Sequence, residues 1–172
     1  HTKKISLEEE YPGGLVEEVQ HTVFNQLEEF GRILRNELIP GLKQQQIYFC
    51  YDEPFPLHHK ETCRSYFLSS VMSFLQPINL GQQQPGSVFL ENNTLYFIIQ
   101  SEQADTPGLI NTYLLNIPSA PLPRFQELTA GEGWTSILFL DDIIRESLPL
   151  ILPGQRIIGA WSIKLTRNAD MN

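Results

Sequence analysis

Three groups of residues have types and spacings suited to chemistry. The first is His58-His59-Lys60. Imidazole can take up a proton, a phosphoryl group or a metal. Neighbours on a helix diverge by about 100°, so these two rings do not converge on one ion. Neither sits at an HExxH spacing. A His-x-Lys-x4-Asp motif begun at His58 and Lys60 would need an aspartate where Ser65 stands. The second group is Asp141-Asp142, a carboxylate pair of the kind used in acid–base catalysis. A strand ends and a helix begins there, so capping the helix is the competing role. The third is Arg124, Arg145, Lys164 and Arg167, the anion-binding set worth naming. Guanidinium forks match phosphate in two-point geometry. The architectural alternative pairs Arg145 with carboxylates around Glu146, and Arg167 with Asp170 or Asp141. No G-x-S-x-G turn occurs, and Gly131-Glu132-Gly133 lacks the lysine of a phosphate-cradling loop. No catalytic residue and no metal ligand are assigned.

Composition narrows the field. Twelve Lys plus Arg against twenty Asp plus Glu give a net charge of −8, which argues against a nucleic-acid binder. The deficit is uneven. Residues 1–109 hold 7 basic and 14 acidic side chains, while residues 110–172 hold 5 and 6, so an anion-facing surface belongs to the C-terminal third. Cys50 and Cys63 form no metal-type pair and read as two free thiols of a reducing, cytoplasmic compartment. No apolar run approaches the roughly 20 residues of a membrane span, and no signal pattern opens the chain.

Several elements must position these groups. Residues 1–14 read as a lead-in arm or tag remnant. From Leu15 the chain is helical: Val19, Val23, Leu27, Phe30, Leu34 and Leu38 follow at steps of 4, 4, 3, 4 and 4, on one face. Pro40-Gly41 is expected to end this helix. Its stripe needs a partner: the domain's own sheet, or another domain or subunit, with Val19, Val23, Leu27, Phe30 and Leu34 as the interface. Ile47–Tyr51 is a short strand, and Lys60–Gln76 a second helix stopped by Pro77. Ser87–Leu90 and Thr94–Ile99 flank Asn92-Asn93, which predicts a tight hairpin. Glu102–Gly108 reads as a mobile loop and Ile110–Ile117 as the next strand. Thr135–Leu140 is a buried strand, followed by a helix to Ser147 that Pro149 cuts short. From Arg156 to Arg167 the pattern alternates, with Ile157, Gly159, Trp161, Ile163 and Leu165 expected on one face.

The fold class is therefore α+β, a mixed and largely antiparallel sheet with two to three helices, preceded by a long N-terminal helix. The domains expected are the arm 1–14, the linking helix 15–41 and one domain over 42–172.

Three motifs in order carry a resemblance: Leu122-Pro-Arg-Phe125, Leu140-Asp-Asp-Ile-Ile-Arg145 and Ala160-Trp-Ser-Ile-Lys-Leu-Thr-Arg-Asn-Ala-Asp170. Together they resemble the middle, or head, domain of the long bacterial polyphosphate kinases. Leu34–Leu42 resembles that family's junction with its helical N-terminal domain, and Pro149 departs from the family's helix-forming character at that point. The resemblance implies a parent enzyme that reversibly transfers the terminal phosphoryl of ATP to polyphosphate, with Mg²⁺, through a phosphohistidine. It implies that this histidine lies in C-terminal domains beyond this chain, so no catalytic residue is carried over. The piece is expected to be inactive alone, to support the polyphosphate tunnel and to help form a dimer. Its partners would be the enzyme's other domains, a second subunit, polyphosphate and ATP. The parent would be cytoplasmic, with peripheral membrane association open to it. Two other readings stand beside this one. One is a free-standing enzyme like a phosphohistidine phosphatase, using His58 or His59. The other is a protein-interaction module built on the Val19–Leu38 stripe.

Overall fold

The computed structural model describes residues 14–51, 54–84, 86–106, 108–129 and 133–166. The arm before Gly14, part of the Ala130–Gly133 turn, and Arg167 with the Asn-Ala-Asp exit after it lie outside the described residues. The chain divides into two compact units, 1–49 and 50–172.

The first unit is dominated by one helical run. Helix α1 spans Leu15–Ile33, a wide π-helical turn follows at Leu34–Leu38, and α2 continues over Ile39–Gln44. Gly14 opens it at φ 95°, and its carbonyl accepts the Glu18 N–H at 2.9 Å. Glu17 and Glu18 in the first turn complement the helix dipole. Arg32 ties Glu29 and Glu37 together at 2.8 and 2.9 Å. Pro40 does not end the helix. The wide turn bonds the Ile39 N–H five residues back, to the Leu34 carbonyl. That break opens the room a proline ring needs, and Pro40 sits in the first turn of α2, where a missing N–H costs little. Gln46, at φ 62°, terminates the run before strand β1, Ile47–Phe49. No residue from Leu15 to Gln44 is buried. The apolar stripe lies open along this run: Val19 is 53% exposed, Leu27 64% and Phe30 65%.

The second unit holds the core. A 3-10 turn at Leu57–His59 leads into α3, Lys60–Tyr66, which widens at Phe67–Val71 and tightens at Met72–Phe74. It stops before Gln76, the residue whose backbone Pro77 restricts. Strands β2 (Ile78–Asn79), β3 (Thr94–Gln103), β4 (Ile110–Asn116) and β7 (Gln155–Leu165) form an antiparallel sheet in the order β2-β4-β3-β7. Strands β5 (Phe125–Thr129) and β6 (Thr135–Phe139) form an antiparallel hairpin. Helix α4 follows at Leu140–Glu146, then α5 at Leu148–Ile151. Pro149 starts α5 rather than merely ending α4, again because the first helical turn tolerates a missing N–H.

Phe97 and Ile99 of β3 and Leu115 of β4 are fully buried, together with Phe67, Val71, Leu138, Leu140, Ile144 and Leu148. Each contributes about 1.5–3 kcal/mol by leaving water. This set defines the core face of the sheet.

Two sequence expectations give way here. Ser87–Leu90 forms no strand. Asn93 does adopt φ 59°, but its N–H donates to Leu165 O at 2.8 Å, and β3 pairs with β4 and β7 instead. A longer partner on each side outcompetes a four-residue segment. The five residues of β7 expected on one face are also split. Gln100 pairs Gly159 and Ser101 pairs Ile157, so Ile158 is an extra residue in a bulge. Ile157 therefore joins the core face, while Gly159, Trp161, Ile163 and Leu165 pair with Gln100, Ile98, Tyr96 and Thr94 on the other. At the ends of the Glu102–Gly108 segment the Gly108 N–H donates to Glu102 Oε1 at 2.6 Å, and the Arg156 guanidinium binds Glu102 Oε2.

Candidate functional site

The strongest gathering of predicted residues lies at the start of α4. Strand β6 ends at Phe139 and the chain turns into the helix, which brings Asp141 and Asp142 into its first turn. Neither caps it through a side-chain hydrogen bond. Arg124, just before β5, reaches back and donates from Nη2 to Asp141 Oδ2 at 3.0 Å. Its guanidinium carbon lies 5.9 Å from the centre of the Phe139 ring. The hairpin explains this reach: Phe125 pairs with Phe139 across it, and the Arg124 carbonyl accepts the Leu140 N–H at 2.8 Å. Arg145, one turn along α4, donates to Asp142 Oδ1 at 2.5 Å and lies 5.2 Å over the buried Phe97 ring.

The two carboxylates differ in what they face. Asp141 is 5% exposed, and its Oδ1 is buried without a partner. Burial raises the Asp142 carboxyl above its ordinary range; Arg145 opposes that, and the neighbouring Asp141 adds to it. Acid–base chemistry needs at least one carboxylate free to meet a substrate. Here each is engaged by an arginine, so the arrangement acts first as a clamp that holds α4 against the hairpin and sheet. Arg124 and Arg145 keep 41% and 43% of their side chains exposed, which leaves donors available for an outside anion. As the architectural alternative expected, these arginines pair with nearby carboxylates: Arg145 binds Asp142, and Arg124 binds Asp141. Lys164 is exposed on β7, away from this pair in the fold order, and Arg167 lies outside the described residues.

A small cavity of about 190 Å³ beside this clamp is lined by Cys50, Phe55, Asp142, Arg145 and Glu146. Lys60 Nζ meets Glu146 Oε1 at 2.7 Å. Both cysteines are free and buried, and burial pushes the Cys63 thiol up to about 11, with Cys50 and Glu146 adding to it. Among the described residues no group of three His, Cys, Asp or Glu could hold a metal ion.

The histidines occupy the turn before α3. His58 is exposed and His59 is 3% exposed, with ring centres 4.1 Å apart. Burial lowers the His59 pKa, and His58 lowers it further. Its Nε2 is buried and has no hydrogen-bond partner. A nitrogen so enclosed cannot reach a phosphoryl donor.

One feature escaped the sequence reading. A cleft of about 490 Å³ opens on the face of the sheet opposite the core, between Phe74, Ile78, Tyr96, Asn116 and Pro118. Asn116 bridges its floor, accepting from the Gln76 N–H at 2.8 Å and donating to Phe74 O at 2.7 Å. The proline run after β4 was the available signal. No arginine, lysine or histidine lines this cleft, and Glu91 does, so it is not built for anions.

A family model described as the polyphosphate kinase middle domain matches residues 58–172. The chain belongs to the polyphosphate kinase family. It is similar to the polyphosphate kinase of Pseudomonas aeruginosa, 31% identical over 158 residues, which cover 90% of this chain and 22% of the relative. It is also similar to the enzyme of Campylobacter jejuni, 27% identical over 138 residues, 79% of this chain and 19% of the relative. The crystal structure of polyphosphate kinase from Porphyromonas gingivalis matches with a TM-score of 0.80 and 28% identity, over 92% of this chain and 24% of that one. The chain thus spans about a fifth of the length of the curated relatives it matches. As a polyphosphate kinase middle domain it has the expected α+β fold with a long N-terminal helix. No helix among the described residues is long and apolar enough to cross a membrane.

Proposed function

We propose that this chain serves as the head domain of a polyphosphate kinase that reversibly transfers the terminal phosphoryl of ATP to polyphosphate. In this reading a phosphohistidine outside this chain carries the phosphoryl group, and ATP and Mg²⁺ act there. The head domain supports the polyphosphate tunnel, docks the other domains and helps join two subunits. The observation that carries the reading is the middle-domain match over residues 58–172. Two features of the site support a supporting role. Arg124 and Arg145 are each held by a carboxylate while keeping part of their donors outward, and the one buried histidine of the site region is sealed from solvent. Phosphate contacts by Arg124, Arg145, Lys164 or Arg167 would then be auxiliary. The enzyme is read as cytoplasmic.

The test is a graft. This chain replaces the matching segment of the Pseudomonas aeruginosa polyphosphate kinase, and the isolated chain is assayed beside the graft for ATP-dependent polyphosphate synthesis. Synthesis by the graft and none by the isolated chain is the expected result. A soluble, folded graft without activity, or an active isolated chain, would overturn the proposal.

A further inference from the structure

The cleft on the outer face of the sheet is built from a stretch that has no positive charge. From Ser65 to Pro123 the chain carries Glu91, Glu102 and Asp105, and neither Lys, Arg nor His. Each described residue lining the cleft, from Phe74 to Pro121, comes from this stretch. Glu102 is taken by Arg156. Glu91 lines the cleft, is exposed, and makes no ion pair among the described residues.

Two cross-strand partners on the cleft floor hold its rims in place. Tyr96 of β3 and Asn116 of β4 stand opposite each other in the sheet. The Tyr96 hydroxyl accepts the Glu91 N–H at 3.0 Å, which ties the Phe89–Glu91 segment to the floor. Asn116 donates to the Phe74 carbonyl at 2.7 Å and accepts the Gln76 N–H at 2.8 Å, which ties down the Phe74 rim. The rings on these rims stay open to solvent, Phe74 at 43% and Phe89 at 75%, although burial would favour a closed cleft. At about 490 Å³ the opening falls in the range of small-molecule sites.

Aromatic rings and one carboxylate, in a wall without fixed cations, complement an organic cation. Ring faces attract positive charge, most strongly where water is displaced, and the carboxylate supplies the counter-charge. A multiply charged guest would call for several carboxylates, and the cleft offers Glu91 alone among its described residues. We propose that this cleft binds a small, singly charged organic cation of the alkylated ammonium class, its head against Glu91, Phe74 and Phe89 and its hydrocarbon body over the apolar floor.

The test compares choline with its uncharged isostere, in which carbon replaces the quaternary nitrogen. Each is titrated into the isotope-labelled full chain and followed by the amide NMR shifts of Phe74, Glu91 and Tyr96. Choline should bind saturably at millimolar concentration, about fivefold or more tighter than the isostere. Glu91→Gln should weaken choline by about fivefold and leave the isostere unchanged. Phe74→Leu, which keeps an apolar rim but removes a ring face, should also weaken choline more than the isostere. Circular dichroism confirms that both variants, at exposed positions, remain folded. Equal affinity for the two probes, or choline binding unchanged in folded Glu91→Gln, would overturn the proposal in favour of plain apolar packing. No saturable binding of choline would overturn it and point to cover of the cleft by another segment of a longer polypeptide. The proposal does not rest on the phosphoryl chemistry, and failure of the graft would leave it standing.

Discussion

Replacing Arg124 by alanine separates a strut from a ligand. Asp141 is 5% exposed, its Oδ2 takes a 3.0 Å hydrogen bond from Arg124, and its Oδ1 has no partner. Without Arg124 a buried carboxylate would keep neither. Breaking a fully buried ion pair costs about 3–5 kcal/mol, and a surface pair is worth about 0–1. Arg124 is 41% exposed, so water screens its side of the pair. The expected loss falls between these limits, about 2 kcal/mol, or about 4–8 °C in melting temperature for a chain of this size. Asp141→Ala removes the charge together with its orphaned oxygen and should cost less. The double variant R124A/D141A should then recover about 1 kcal/mol or more of the R124A loss, a coupling that a double-mutant cycle reads directly. Thermal unfolding followed by circular dichroism measures all four proteins. An R124A chain within about 0.5 kcal/mol of the parent, or a double variant equal to the sum of the singles, would refute the strut. It would make Arg124 a free anion donor instead.

Other outcomes follow from particular contacts. A Cβ on Gly159 would stand 2.4 Å from Trp161 Cη2 and 2.7 Å from Cζ2. Gly159→Ala should therefore move the half-exposed indole and shift its emission, and cancel the usual strand gain of about 0.5–1 kcal/mol over glycine; a stabilised protein with unchanged emission would contradict this. Cys63, 3% exposed with its thiol pushed up to about 11, should resist iodoacetamide in the folded chain and react on unfolding, as mass spectrometry would record. Glu102 is held below its ordinary 4.5 by its bond from Arg156 and then by the Gly108 N–H. A lowered carboxyl stabilises above its unfolded pKa and loses that contribution as pH falls through the folded value. Glu102→Gln should thus weaken the protein near neutral pH, with the gap closing below 4.5; a gap unchanged in acid would count against the link.

Much of this fold could be read from periodicity because periodicity reports burial. The 4-4-3-4-4 steps located α1, and runs of Tyr, Phe and Ile located β3 and β4. Where reading failed, a local rule met a nonlocal partner. Pro40 fits the helix because a wide turn precedes it, and no residue type announces that turn. Ile158 drops out of the alternation because Gln100 and Ser101 of another strand set the register. Ser87–Leu90 had strand character but met a stronger competitor for β3. Arg124, Arg145, Asp141 and Asp142 stood out by residue type, and they form two ion pairs at the start of α4. Their pairing was not legible, since Arg124 and Asp141 are brought together only by the hairpin between them. The apolar stripe posed the opposite case, a strong sequence signal on a helix none of whose residues is buried.

The most direct measurement of the central claim is phosphorylation of the isolated chain. Incubated with ATP labelled at the terminal phosphoryl and Mg²⁺, then analysed for acid-labile label, the chain should carry none, because His59 Nε2 is buried and Asp141 and Asp142 are engaged by Arg124 and Arg145. Stoichiometric acid-labile label that disappears in His58→Ala or His59→Ala would contradict the account and make this chain a phosphotransfer centre in its own right.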